Sequence, residues 1–415
     1  MLSCILLCMK IWLKYLLGCA IGIAMAFVLQ GDNNQAVEII NYISDLAVNI
    51  GKYSLVPLLF FTMTVSVFEL REDKSLLRIA LKTIIIAVIT TVGLMILGLV
   101  AVTFFPPARI PVSVGEVSQN YTLSITENIM KIFPSSNFES FLDGSFLLPL
   151  YVLAGFAGAG CAAERNSKPM LNLFDSISRV SYAVMSFFIE ILAIGFIALS
   201  ASWTFMFFKI LKSSSMLYLA GMVSCIAFVV IIIIYPLILR FSFKERHPYK
   251  LLYAATASIL TAFFSGNYNL TLGVMLRHAK ESLGVKRRIG SVTLPVFSTF
   301  ARGGSAMILV ISFVVILKSY IDYGVLENIP WILITSFVIS FFLGSLPAEG
   351  IPVALSVMCS LYGRGFENGY LILKPVMFFL CSIAAVIDAA TAFFGTYCIA
   401  LKEHKIEHQN LHFYI

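Results

Sequence analysis

Long apolar runs separated by short polar connections dominate the hydrophobic pattern of this chain. Six runs in the first 250 residues lie near 11–30, 38–70, 79–105, 145–163, 182–206 and 216–242. Each is long enough to cross about 30 Å of hydrocarbon as a helix that rises about 1.5 Å per residue. The second run is over-long and contains Gly51, Lys52 and Pro57, so its first part is predicted to lie at the interface or to tilt strongly.

Two later apolar runs are interrupted by polar residues. The first, 251–276, is interrupted from Ser265 to Asn269, and the second, 331–362, from Gly344 to Gly350. Because no piece is long enough to cross alone, both runs are predicted to be re-entrant helical hairpins, called hairpin 1 and hairpin 2. A seventh span at 289–317 and an eighth at 373–401 follow them. Broken segments of this kind indicate a transport site.

This pattern predicts an all-α polytopic membrane protein with eight transmembrane helices and two re-entrant hairpins. With the amino terminus inside, twenty Lys and Arg residues fall on the inner side and six on the outer side. A bias of this size follows the positive-inside rule and places both termini in the cytoplasm. The alternative of ten spans would place the basic stretch 277–288 outside.

The composition agrees with a membrane location and excludes other classes. The 415 residues are 59% hydrophobic and only 12% charged, against about 25% charged in a globular chain. The net charge is +7, but the basic residues lie between apolar runs, so no nucleic-acid partner is predicted. The five histidines lack metal-site spacing. Since no hydrolase, metalloprotease or P-loop motif occurs either, neither an enzyme nor a cofactor is predicted.

Two charged residues are predicted near the middle of full spans. Arg302 lies about halfway along the seventh span, and Asp388 lies midway along the eighth. A charge at the bilayer centre costs about 2.5–3.5 kcal/mol on insertion scales. One interpretation is a mutual salt bridge. The other is that either or both line a substrate or ion site, and a pair that opens for a charged ligand would satisfy both interpretations.

Neighbouring residues allow further alternatives. Gly303 and Gly304 each weaken a helix by about 1 kcal/mol, which indicates either local unwinding that exposes backbone ligands or close packing between helices. Glu190 also lies in mid-span, without a glycine cluster, and is interpreted as protonated or as paired at a subunit contact. Glu349, at the tip of hairpin 2, is either a gate or proton acceptor or a solvated residue.

Several short motifs follow one another through nearly the whole chain. They are Leu55–Phe61, Phe133–Phe138, Leu147–Leu150, Leu272–Glu281, Val292–Pro295, Gly350–Pro352 and Gly395–Lys402. Their order resembles that of the dicarboxylate/amino acid:cation symporter family, the glutamate-transporter homologues, with this chain as a divergent member. No single motif is decisive for the family, but the order of the motifs along the chain is specific to it.

The resemblance implies a homotrimer in the cell (inner) membrane, with inverted repeats and an elevator mechanism of transport. A scaffold would contain spans 1 and 2 at 11–70 and spans 4 and 5 at 145–206. A moving transport unit would contain span 3 at 75–105 and residues 216–402, including both hairpins. Residues 403–415 would form a cytoplasmic tail.

The resemblance also implies a substrate site between the hairpin tips and spans 7 and 8. The candidate substrate-binding residues are Ser265, Gly266, Asn267, Asn269, Arg302, Gly303, Gly304, Ser305, Ala348, Glu349, Gly350, Asp388 and Thr391. Asp388 matches a position that would hold an amino group. Thr90 and Thr91 resemble a Thr-Ser pair of a sodium site and are candidate ligands for a residual cation.

The chain departs from the family pattern where sodium would bind. Instead of Asn-Met-Asp-Gly-Thr in the seventh span it has the residues from Ala301 to Ser305, and in the eighth span only Asp388 and Thr391 match. A dehydrated sodium ion usually needs a carboxylate, because burying an uncompensated ion is costly. The guanidinium of Arg302 could replace a bound cation or clamp a substrate carboxylate.

The predicted function is therefore a secondary active symporter of small amino acids or dicarboxylates with altered cation coupling. Na⁺ and H⁺ are the candidate coupling ions. The alternative is a channel-like or non-transporting relative that has lost ion coupling. Gradient-driven accumulation in proteoliposomes would distinguish the two.

Overall fold

The computed structural model describes residues 10–29, 34–110, 130–142, 146–164, 166–211, 214–300, 302–320, 328–343, 350–363 and 365–407. The helices are α1 (Ile11–Leu29), α2 (Asn34–Lys52), α3 (Leu55–Glu72), α4 (Leu76–Phe104), α5 (Leu148–Ala163), α6 (Lys168–Ile210), α7 (Ser214–Phe228), α8 (Tyr235–Ser242), α9 (Tyr249–Ser265), α10 (Tyr268–Glu281), α11 (Arg287–Phe300), α12 (Gly303–Tyr320), α13 (Ile329–Phe342), α14 (Gly350–Tyr362) and α15 (Met377–Lys402). Shorter elements are a helical turn (Glu139–Leu142), a π-helix (Val229–Ile234) and a 3₁₀ turn (Gly369–Leu373).

Seven helical stretches of the described residues are long and apolar enough to cross a membrane. They are Ile11–Leu29, Gln35–Glu72, Leu76–Phe104, Lys168–Phe208, Ser214–Ser242, Arg287–Tyr320 and Met377–Lys402. The predicted fourth span corresponds to α5, whose 16 residues cover only about 24 Å. The all-helical membrane class is confirmed, whereas the predicted number of eight spans is not.

Two spans differ from their predicted bounds. The second is divided into α2 and α3 by a turn at Tyr53 and Ser54, and Pro57 lies in the first turn of α3, where its missing N–H costs no helical hydrogen bond. The fifth begins at Lys168 and runs for 43 residues, or about 65 Å. The first part of this helix is polar, so the apolar run in the sequence begins only at 182, and the predicted start of the span was too late.

Hairpin 1 consists of α9 and α10, which pack against each other around Gly266 and Asn267. Gly266 has a φ of +58°, a left-handed conformation that glycine adopts without steric cost. The Asn267 side chain accepts a hydrogen bond of 3.2 Å from the Leu270 N–H and so caps α10. The polar interruption read from the sequence is therefore a turn between two capped helices, and its re-entry into the membrane stays a prediction.

The two most buried helices form the centre of the molecule. Every residue from Gly303 to Leu317 in α12 and from Ser382 to Ala400 in α15 is buried, whereas α1 buries only one stripe. Helix α12 packs between α4 and α15, and α9 packs on the outside of α15. The core therefore consists of the helices on which Asp388 and the residues after Arg302 lie.

A second group of helices packs around the long helix α6. Helices α1, α2 and α3 all lie against it, and α5 packs on α3. A methyl group added at Gly22 of α1 would lie 2.1 Å from the Ser200 Oγ and 2.2 Å from the Ile197 carbonyl oxygen of α6. This close approach explains the glycine, because small residues let helix backbones meet.

The end of the chain pairs with the connection between hairpin 1 and α11. Val285 and Ile406 form an isolated antiparallel bridge. The Glu407 N–H donates to the Gly284 carbonyl at 2.9 Å, and the Lys286 N–H donates to the Lys405 carbonyl at 3.2 Å. The carboxyl end of α15 is thereby attached to the amino end of α11.

Candidate functional site

The helix of the seventh span is interrupted at the predicted position. Helix α11 ends at Phe300, five residues after Pro295, and α12 begins at Gly303. Pro295 lies inside α11 and cannot donate a helical hydrogen bond. The first N–H groups of a helix have no partner within that helix. The break therefore creates a helix amino terminus with free donors in the core of the protein.

Asp388 of α15 accepts hydrogen bonds from this helix terminus. Its Oδ1 accepts from the Gly304 N–H at 2.7 Å and from the Ser305 N–H at 3.2 Å, and its Oδ2 accepts from the Ser305 hydroxyl at 2.5 Å. The side chain is only 2% exposed. A carboxylate at a helix amino terminus is stabilised by the helix dipole and by charge-assisted hydrogen bonds. Asp388 thus caps α12 from a neighbouring helix.

Close packing explains the two glycines. A methyl group at Gly304 would lie 2.6 Å from the Ile387 Cβ and 2.8 Å from the Ala384 carbonyl oxygen. At Gly303 it would lie 2.9 Å from the Leu94 Cδ1. The structure therefore supports close packing for this pair. The glycines themselves are helical in the first turn of α12, and the helix is interrupted immediately before them.

Arg302 lies in the break and does not pair with Asp388. Its Nε donates to the Ser298 carbonyl at 3.1 Å, and its guanidinium carbon lies 5.6 Å from the centre of the Tyr268 ring, within the range of a cation–π contact. No described carboxylate lies within 4.0 Å of it. The proposed mutual salt bridge is therefore wrong for this structure, because the α12 terminus occupies the Asp388 carboxylate.

Two tyrosines complete the surroundings of Arg302 and were missed in the sequence. Tyr268 of hairpin 1 is 6% exposed, and its hydroxyl has no hydrogen-bond partner among the described residues. Tyr151 of α5 shares a hydrogen bond of 3.2 Å with the Ser298 hydroxyl. Tyr268 could have been found, since it lies inside the polar interruption of hairpin 1. Tyr151 carries no sequence signal, because only the tertiary fold brings α5 to this place.

The tip of hairpin 1 lies beside a separate cavity. Ser265, Gly266 and Asn267 line a space of about 920 Å³ between α2, α6 and the start of α15, with Lys52 among the other lining residues. The Ser265 hydroxyl donates to the Thr261 carbonyl at 2.5 Å. Asn269 is partly buried and does not line this space. Neither Arg302 nor Asp388 lines it, so the structure divides the predicted site residues into two groups.

The remaining candidate residues differ in how far they approach these groups. The Thr391 hydroxyl shares a hydrogen bond of 2.5 Å with the Tyr235 hydroxyl and donates to the Ile387 carbonyl at 2.6 Å. Gly350 is the buried first residue of α14. Ala348 and Glu349 lie outside the described residues, so the predicted role of Glu349 stays a prediction.

Only one of the two candidate cation ligands approaches the break. The Thr90 hydroxyl donates to its own helix, to the Ile86 carbonyl at 2.8 Å. Thr91 is buried, its Cα lies 3.1 Å from a methyl group built at Gly303, and its hydroxyl has no described hydrogen-bond partner. The structure therefore places Thr91, and not Thr90, beside the α12 terminus.

Glu190 has a partner within the same chain. Its Oε1 accepts from an Nη of Arg277 at 3.2 Å, and Arg277 also contacts Glu281 at 3.3 Å and donates to the Ser186 carbonyl at 2.9 Å. The structure thus gives Glu190 an ion-pair partner within its own chain, and a subunit contact stays a prediction. The pair was not predicted because Arg277 directly follows the apolar run 251–276 in the sequence, whereas it is buried in α10.

Two further ion pairs connect the same pair of helix groups. Arg288 of α11 contacts Asp73 at 2.7 Å, and Arg287 contacts Asp175 of α6. Together with the pair between Arg277 and Glu190, they attach α10 and α11 to helices α3 and α6.

Comparison with known proteins places these features in context. Residues 7–401 match the sodium:dicarboxylate symporter family. A proton/sodium-glutamate symport protein of Bacillus subtilis (strain 168) is 22% identical over 353 residues, covering 82% of this chain and 81% of that protein. A C4-dicarboxylate transport protein of the same strain is 24% identical over 37% of this chain and 38% of its own length. A serine/threonine transporter of Bifidobacterium adolescentis is 25% identical over 61% of this chain and 56% of its own.

Proposed function

Since the chain belongs to the sodium:dicarboxylate symporter family, we propose that it moves small amino acids or dicarboxylates across the cell membrane as a secondary transporter with altered cation coupling. Membership makes it a membrane transporter and not an enzyme. The observation that carries the finer proposal is the broken seventh span, where a guanidinium and a capped helix terminus lie in the core.

Arg302 is the proposed anchor for a substrate carboxylate. A guanidinium carries five N–H donors, and only its Nε bonds to a described residue. Its side chain is half-buried, between the Tyr268 ring and the break in the helix. A planar donor fork in such surroundings fits a carboxylate in two-point contact. The orphan Tyr268 hydroxyl is a second donor for the same ligand.

Asp388 is less available for a substrate amino group than its sequence position suggested. Its two oxygens already accept three hydrogen bonds, out of about four acceptor positions on a carboxylate. The arrangement thus supports recognition of a carboxylate more strongly than recognition of an ammonium group. Among the two proposed substrate classes, this favours dicarboxylates.

A comparison of succinate with aspartate tests this preference, because the two differ by one ammonium group. We expect succinate to bind at least about tenfold more tightly, since the three donors of the ammonium group must be desolvated with at most one acceptor position left on Asp388, at a cost of about 1–3 kcal/mol. Binding is measured as the stabilisation of purified protein by each ligand. Equal or tighter binding of aspartate would contradict the preference while leaving transport itself intact.

Cation coupling is proposed to differ from that of the sodium-coupled relatives. Asp388, a remaining carboxylate at the break, is engaged in capping α12. The fixed positive charge of Arg302 lies close to the break and would repel a cation bound there. Thr91 supplies one hydroxyl, which alone cannot replace the hydration shell of a sodium ion.

Uptake is therefore expected not to require a gradient of several sodium ions. In proteoliposomes, substrate accumulation should persist when choline replaces sodium outside and a proton gradient is imposed. A parallel sample without any gradient reports passive equilibration. A steep sodium dependence with a Hill slope above two would overturn the altered coupling and still support transport.

The elevator mechanism, the homotrimer and the cytoplasmic termini belong to the same proposal. Helices α1, α2, α3, α5 and α6 would form the scaffold, and α4 with α7 to α15 the moving unit. The three ion pairs from α10 and α11 to α3 and α6 would then have to break and reform as the unit moves.

One observation favours the alternative of a non-transporting relative. The hydrogen bonds of Asp388 and the ion pairs of Arg277, Arg287 and Arg288 are all made to groups of the chain itself. Counterflow of radiolabelled substrate in proteoliposomes decides between the two. Exchange faster than in protein-free liposomes supports the transporter, and exchange equal to that control supports the alternative.

A further inference from the structure

A basic cavity lies where α8 ends and α9 begins, away from the candidate site. Two adjoining spaces of about 780 and 710 Å³ share Arg240, Phe241, Arg246 and His247 as lining residues. Lys250 lines the first space and Lys244 the second. Four permanent cations and a histidine therefore converge on one connection of the chain.

The cavity also has an apolar wall that faces outward from the protein. Leu237 is 53% exposed, Phe241 72% and Tyr249 60%, and they lie on the ends of two helices in a chain that spans a membrane. Exposed apolar side chains of this kind are suited to hydrocarbon, which surrounds the helices of a membrane protein. Arg240 and Lys250 lie on the same two helix ends, and long basic side chains near the ends of membrane helices can reach the headgroups.

Carboxylates compensate only part of the positive charge. The described lining residues of both spaces include no Asp or Glu. Glu245 borders the cavity: its Oε1 accepts from the His247 N–H at 3.4 Å, and its Oε2 accepts from the Tyr397 hydroxyl of α15 at 3.4 Å. Its backbone carbonyl, not its carboxylate, accepts from an Nη of Arg240 at 3.3 Å. The cavity therefore presents net positive charge.

Local backbone structure distinguishes this place from an ordinary helix end. A π-helix, Val229–Ile234, directly precedes α8, and Ile233 from it lines the cavity with Pro236. π-Helical segments are rare and are frequent at functional sites. On the opposite wall, the Tyr253 hydroxyl accepts from the Lys10 ammonium group at 3.0 Å, which joins α1 to the cavity.

We infer that this cavity binds the phosphate headgroup of an anionic phospholipid, with an acyl chain along Leu237, Phe241 and Tyr249. Arg240, Arg246 and Lys250 hold the phosphate, and the aromatic rings lie at the level of the glycerol backbone. Basic pockets between helices at a membrane face have the chemistry that such headgroups require. This site is independent of the substrate site and of the proposed coupling.

Lipid retention in nanodiscs tests the inference. The full chain is reconstituted in equal parts of phosphatidylglycerol and phosphatidylcholine, and the retained lipids are counted by native mass spectrometry. We expect preferential retention of phosphatidylglycerol, and the triple variant Arg240→Gln, Arg246→Gln and Lys250→Gln should reduce it by roughly a hundredfold. The reduction follows because each of the three side chains would lose a charge-assisted hydrogen bond to the bound phosphate, and each such bond contributes at least about a factor of five.

A second triple variant with the same loss of charge distinguishes a specific lipid site from general attraction between basic surface residues and anionic lipid. Lys74, Arg78 and Lys168 are exposed, and replacing all three by Gln removes the same charge elsewhere. This variant should retain phosphatidylglycerol within about twofold of the unmodified protein. Equal loss in both triple variants would overturn the inference in favour of general surface charge.

Unmodified protein provides a test that does not depend on the variants folding. Its thermal unfolding is followed with added phosphatidylglycerol, with phosphatidylcholine, with glycerol 1-phosphate and with inorganic phosphate. Stabilisation by phosphatidylglycerol alone supports the lipid site. Equal stabilisation by inorganic phosphate would show a small-anion site instead, and no stabilisation by any of them would overturn the inference.

Discussion

Replacing Asp388 by alanine is expected to lower the free energy of unfolding by at least about 3 kcal/mol. The carboxylate accepts from two backbone N–H groups and one hydroxyl, and each buried donor left without a partner costs about 1–3 kcal/mol. The loss is measured by chemical unfolding of the detergent-solubilised protein. Ser382→Ala on the same helix removes one hydrogen bond from the Trp203 Nε1–H and one to the Phe378 carbonyl of its own helix, and should cost only about 1–2 kcal/mol.

The Asp388→Asn variant distinguishes the capping hydrogen bonds of this side chain from a role of its negative charge. Its amide oxygen can still accept from the Gly304 and Ser305 N–H groups, so we expect less than half of the alanine effect on stability. Loss of uptake in a stable Asp388→Asn protein would assign the negative charge to substrate or ion handling. If the alanine variant unfolds within about 0.5 kcal/mol of the unmodified protein, the cap contributes nothing and the carboxylate is free for a ligand.

Replacing Arg302 by methionine is expected to lower uptake at sub-saturating substrate by about a hundredfold. Charge-assisted hydrogen bonds to a carboxylate contribute about 1.5–3 kcal/mol, and about 1.4 kcal/mol corresponds to a factor of ten. Stability should change little, because the side chain makes one described hydrogen bond, to the Ser298 carbonyl. Initial rates of radiolabelled uptake and unfolding curves are measured on the same preparation.

Two variants control for this result. Arg302→Lys keeps the charge but loses the donor fork, so it should recover only part of the affinity for substrate. Arg78→Met removes an exposed arginine and should leave uptake unchanged. Uptake by Arg302→Met equal to that of the unmodified protein would show that the guanidinium serves packing on Tyr268 and not substrate binding.

Local sequence patterns predicted most elements of this fold but not their partners. Apolar runs give helices because each run must satisfy its backbone within a single segment in lipid. The break before Gly303 was foreseeable from the glycine pair, since helix propensity is a local property. The extent of α6 was not, because its first part is polar and is helical through contacts with other helices.

The candidate site was less predictable because it depends on which groups meet. Arg302 and Asp388 were correctly recognised as central charges, yet their pairing was not, since two charges in one core can bond to each other or to helix ends. The partner of Glu190 was missed for the same reason. Hydropathy places a residue at a depth, whereas the contacts of Arg277 depend on the rotation and packing of α10 against α6.

The connection between the amino end of α11 and the carboxyl end of α15 restricts how these two helices can move relative to each other. Gly284 to Lys286 pair with Lys405 to Glu407 at one face of the molecule, and Asp388, near the middle of α15, is hydrogen-bonded to the start of α12. Attachment at two points limits how far α15 can move relative to α11 and α12. If these helices move as one unit, as proposed, a bound solute should have the same protein surroundings on both sides of the membrane.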